Sequence, residues 1–128
     1  MLISTPIPAD PAHRGRVLAS RAAAGAAALD ERQPGWAARI DPDQIDLASN
    51  PGNPLTLLCG DFYEGLLDLV HIDPDPQVRS HPYTWAVTHG FDIDASVVDA
   101  TAAYAELDAC WRTEIARRRL RRTAGEAR

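Results

Sequence analysis

Asn53-Pro54-Leu55-Thr56-Leu57-Leu58-Cys59-Gly60-Asp61-Phe62-Tyr63-Glu64-Gly65-Leu66-Leu67-Asp68-Leu69-Val70 is the stretch on which the fold turns. At 100° per residue, Leu55, Leu58, Phe62, Leu66 and Leu69 fall within one arc of ~80°, the apolar stripe of an amphipathic helix. Asp61, Glu64 and Asp68 fall on an adjoining acidic arc. Asn53 followed by Pro54 is a helix start: a side chain that caps orphan N–H groups, then a residue that needs none. The spacing predicts one helix over 54–70.

Working back toward the N-terminus, Asp10-Pro11 repeats that start and Pro34-Gly35 supplies a stop, so a helix is expected over 11–33. Leu18, Ala22, Gly25, Ala26 and Leu29 form its apolar stripe. Arg14, Arg21 and Arg32 align beside it and are expected near Asp61, Glu64 and Asp68. Gly15 and Gly25 weaken the helix but permit close approach by a neighbour. Pro6 and Pro8 mark an extended arm over 1–10. Short helical turns are expected at 36–40 and, from Asp41-Pro42, at 42–45. Ser49 to Asn53 carries strong turn chemistry.

Working forward, Pro74 and Pro76 make 71–80 a loop, and Ser80 can cap a short helix over 81–89 that Gly90 stops. A last helix is expected over 96–121, with Ala100, Tyr104, Leu107, Trp111 and Ile115 on one face. That face continues onto Arg118 and Arg122. A core cannot bury unpaired guanidinium groups cheaply. The helix end therefore projects, frays or meets acids.

These segments predict an all-α fold: a small bundle of three longer helices plus short ones, with no substantial sheet. The expected division is an arm at 1–10, one helical domain at 11–115 and a basic extension of the last helix at 116–128. The expected core is Leu18, Leu29, Trp36, Ile40, Leu58, Phe62, Leu66, Trp85, Tyr104, Leu107, Trp111 and Ile115.

Composition agrees. The 128 residues fit one domain. Alanine supplies 22 of the hydrophobic residues, which favours closely packed helices over sheets. All thirteen cations are arginine, and the net charge of −5 is unevenly placed. Residues 41–110 hold Arg79 alone against thirteen acids, whereas 111–128 hold seven arginines against two. Two cysteines, no leader pattern and no apolar run of the ~20 residues that span a bilayer make a reduced cytoplasmic setting, with no membrane partner, the expectation.

Few residues suggest chemistry. His71, Asp73 and Asp75 alternate, but the prolines between them make an acidic loop, and no second ligand cluster closes a metal site. His81 and His89 flank Trp85 at helical spacing; a core tryptophan with histidines at the two helix ends explains them better than a catalytic site. No nucleophile elbow, phosphate loop or dinucleotide pattern occurs. No cofactor or metal is expected, and catalysis is the weaker reading. The sharpest feature is the arginine run near the C-terminus. Arg117, Arg118, Arg119, Arg121 and Arg122 are the candidate partner- or phosphate-binding residues. No aromatics interleave after Trp111, so stacking on single strands is poorly supported.

Leu29-Asp30-Glu31-Arg32-Gln33-Pro34-Gly35-Trp36, followed by Ile40-Asp41 and Ile45-Asp46-Leu47, resembles a family of short, uncharacterised proteins of actinobacteria and their phages. Cys59-Gly60-Asp61-Phe62-Tyr63-Glu64-Gly65-Leu66 and Gly90-Phe91 extend the likeness across residues 25–115. Relatives of that kind carry cysteines just before the second long helix; here Pro51 and Asn53 stand in that loop. The resemblance brings no activity. It implies a phage or prophage context, in which small helical proteins act by binding others. The expected function is thus a non-catalytic accessory protein with a protein partner, a second copy of itself included. The alternative is nucleic-acid binding through the arginine-rich helix.

Overall fold

The computed structural model describes residues 10–94 and 99–126, with side chains as far as Arg122. Residues 1–9 of the arm expected over 1–10 lie outside them. The described chain is all-α, with no strand. Its helices are α1 (Pro11–Arg32), α2 (Trp36–Arg39), α3 (Pro54–Cys59), α4 (Phe62–Val70), α5 (Pro76–Arg79), α6 (Pro82–Thr88) and α7 (Ala100–Glu126), with 3-10 turns at Pro42–Gln44 and Asn50–Gly52.

The starts marked by a cap residue and proline form as expected. Asp10 accepts from the His13 N–H at 3.1 Å, Asp41 from Asp43 at 3.0 Å and Asn53 from Leu55 at 3.0 Å. Each satisfies a donor that the helix leaves without a partner.

The helix expected over 54–70 is two helices. Gly60 takes φ +82°, a left-handed conformation open to glycine, and its N–H bonds to the Thr56 carbonyl, closing α3. Asp61 then caps α4, its carboxylate accepting from the Glu64 N–H at 2.8 Å. The Gly-Asp pair is a stop followed by a start inside an unbroken apolar stripe. The loop expected over 71–80 likewise contains α5, because Asp75-Pro76 repeats the start signal and Asp75 accepts from the Gln77 N–H at 2.9 Å. Ser80 does not cap the next helix; its hydroxyl donates back to the Gln77 carbonyl. Asp99, whose carboxylate accepts from the Ala102 N–H, precedes α7, and α7 runs on to Glu126. Ser96, its expected start, lies outside the described residues.

α7 packs along α1, and its later turns lie on α2. Between them, Leu18, Leu29, Trp36, Ile40, Leu66, Trp85, Leu107, Trp111 and Ile115 are buried as expected. Leu58, Phe62 and Tyr104 are only partly buried, at the edge of the core. Phe91, Ile45, Leu55 and Leu69 fill the places left. An aromatic chain crosses the centre: Trp85 stacks on Phe91, Phe91 lies 5.0 Å from Trp111, and Trp111 meets Trp36 edge-on at 5.9 Å. Trp111 Nε1 donates to the Gly90 carbonyl at 2.6 Å, which satisfies its buried polar group. Gly25 makes this possible: a Cβ there would collide with the His89 carbonyl oxygen.

The arginine stripe of α1 diverges from its expected partners. Arg32 alone meets the acidic arc, pairing with Asp68 at 2.7 Å. Arg14 turns to Glu106 on α7, with two hydrogen bonds at 2.9 and 2.7 Å. Arg21 is buried, and the nearby carboxylate acting on it is Asp94. Asp61 is occupied as a cap. A helix as long as α1 crosses several neighbours, so residues in one stripe meet different elements.

Candidate partner-binding surface

Arg118 continues the apolar face of α7, yet its side chain is largely buried. It is paired instead of exposed. Nε and Nη2 donate to the Asp30 carboxylate, each at 2.8 Å, and Nη1 donates to Glu114 at 2.9 Å. The guanidinium also stands 5.5 Å from the centre of the Trp36 ring, within cation–π range. Trp36 Nε1 donates to the same Asp30 at 2.8 Å. The Arg118 bond, reinforced by that of Trp36, holds the Asp30 carboxyl below the usual carboxylate range. Of the three fates open to this helix end, it meets acids.

Arg119 donates to the carbonyls of Ala37 and Ile40, around the C-terminal end of α2. Arg117 donates to Glu114 at 3.2 Å. Arg121 and Arg122 are exposed. Arg117, Arg118 and Arg119 thus bind this chain itself, and residues 117–119 are tied to the helical unit. Arg122, with Trp36 and Arg118, borders a recess of about 260 Å3.

The histidines are engaged separately. His89 stacks on Trp85 at 3.9 Å, its Nδ1 2.8 Å from the Trp85 carbonyl, and burial pushes its pKa down. His81 Nδ1 lies 2.9 Å from the Gln77 carbonyl. His71 borders a recess of about 440 Å3 with Leu67, Val70 and Arg79. Asp73 uses its carboxylate on the Asp75 N–H. No group of three or more His, Cys, Asp or Glu suited to a metal occurs among the described residues.

A different surface stands out. Tyr63 and Leu67 of α4 and Tyr83 of α6 are 46%, 40% and 59% exposed, and the two tyrosine rings lie 6.1 Å apart. Leu67 carries this apolar face into the 440 Å3 recess. Exposed Glu64 lies next to Tyr63 on α4. The remaining strongly exposed large apolar side chain among the described residues is Leu120, at 71%, amid the arginines of α7.

No family model, curated protein or solved structure matches the chain.

Sequence reasoning passed over Tyr63, Leu67 and Tyr83. A signal existed: Tyr63 and Leu67 stand four apart, on one face of α4, well outside the arc of Leu55, Leu58, Phe62, Leu66 and Leu69.

Proposed function

We propose that this chain is a non-catalytic accessory protein that acts by binding a protein partner, in a cytoplasmic setting and in the phage or prophage context that its resemblance implies. The observation that carries this reading is the Tyr63–Leu67–Tyr83 face. Single exposed apolar residues are ordinary, whereas a contiguous aromatic patch beside a recess marks an interaction surface. Tyrosine offers large contact area at small entropic cost and is enriched among residues that dominate binding energy. No helix among the described residues is long and apolar enough to cross a membrane.

Affinity capture from the native host tests it, with the wild type and a Leu67→Glu/Tyr83→Ser variant as baits. A protein held by the wild type and lost from the variant is expected. Equal capture by both baits would remove the patch from the argument.

Exposed Arg121 and Arg122, beside Arg117, favour a second reading, nucleic-acid binding. Duplex and single-strand binding at two salt concentrations separates the two. Phosphate contact falls steeply with salt, and no binding at low ionic strength discards this reading.

A further inference from the structure

The exposed apolar side chains of this molecule fall into two places with opposite charge around them. Tyr63, Leu67 and Tyr83 lie beside Glu64; Leu120 lies beside Arg117 and Arg121. The two places cannot meet within one chain. Arg118 on Asp30, and Arg119 on the Ala37 and Ile40 carbonyls, hold the end of α7 against α1 and α2. The face that carries Leu120 is left outward.

We infer that the end of α7 from one molecule docks on the α4–α6 face of a second copy. Leu120 enters the recess bordered by Leu67 and Val70, packing beside the Tyr63–Tyr83 pair, while Arg117 and Arg121 face Glu64 at the rim. This is a helix laid into an apolar groove, with charges at the rim fixing its orientation. Arg79, which also lines the recess, donates to the Asp73 carbonyl at 2.7 Å. The two faces differ: a reciprocal pair of these contacts closes a two-fold dimer, whereas a one-way contact closes a ring or extends. The inference rests on the partner-binding reading and names the partner as this chain.

Sedimentation velocity of the full chain at low ionic strength tests it. The mass is expected to rise above one chain with concentration, and salt to weaken the association by screening the rim. Leu120→Asp and Tyr83→Ser, both at exposed positions, are each expected to weaken self-association at least tenfold while keeping the wild-type helical circular dichroism. Mixed together they are expected to form a one-to-one complex, because each retains the face that the other has lost. A one-chain mass for the wild type at every concentration overturns the inference. So does a self-associating wild type whose two variants fail to complement. Host capture through Tyr83 in the presence of a one-chain mass would discard self-docking and keep the broader reading; a self-associating chain that captures nothing would keep this inference and discard a foreign partner.

Discussion

Gly15 and Gly25 lie on the same helix and predict opposite responses to alanine. A Cβ at Gly15 meets nothing within 4 Å, whereas one at Gly25 would strike the His89 carbonyl oxygen and crowd Trp111 and Phe91. Gly15→Ala is expected to raise stability by about 0.5–1 kcal/mol through helix propensity. Gly25→Ala is expected to lower it by about 2–4 kcal/mol, because backbone must move. Urea denaturation of the two variants checks both signs; equal effects would mean that α1 does not lie this close to the 89–91 turn. At Asp30, replacing the carboxylate by Asn leaves Arg118 with Glu114 as its one carboxylate partner. Since the Asp30 side chain is 47% exposed, the expected loss in thermal or urea melts is held to about 1 kcal/mol.

The elements were largely legible because their ends are written locally. Asp10-Pro11, Asp41-Pro42 and Asn53-Pro54 each announce a helix or turn with two adjacent residues. Gly60-Asp61 does the same, but the apolar stripe runs through it unbroken, and periodicity cannot register a stop followed at once by a start. Asp61→Ala removes the cap of α4 and is expected to lower stability by about 1 kcal/mol in urea titrations. The end of α7 is the counterpart case. A run of arginines reads as a solvated tail, and what ties it down is Asp30, 88 residues earlier in the chain. A chain ending at Ala116 keeps most of α7 but loses Arg118 and Arg119. Its urea midpoint is expected to fall by the equivalent of about 2–3 kcal/mol. An unchanged midpoint would make the segment an independent tail.

For the molecule as a whole, the ion pairs set the response to acid. Arg118 holds Asp30 below its ordinary range, Arg32 does the same to Asp68 and Arg14 to Glu106. Each carboxylate binds its proton more weakly folded than unfolded. The stability it contributes is full above the unfolded value, about pH 4, and is lost as pH falls through the folded one. His89, lowered by burial, adds a shallower loss that begins below about pH 6.5, since the unfolded chain takes up that proton first. Asp108, raised by burial, works the other way and offsets part of the loss. Melting temperature is expected to be level from neutral pH to the pKa of free histidine, to decline gently to about pH 4 and then to drop. A steady rise on acidification would show that the ion pairs contribute nothing.

The sequence by itself determined that the chain is helical, roughly where its helices lie and which residues line its interior. Those properties follow from periodicity and from caps acting within a few residues. Only the tertiary structure decided which acid each arginine meets, that Arg118 turns inward and that an aromatic face is left uncovered between α4 and α6. These depend on where elements distant in the chain come to rest, and neither helical spacing nor local charge encodes that.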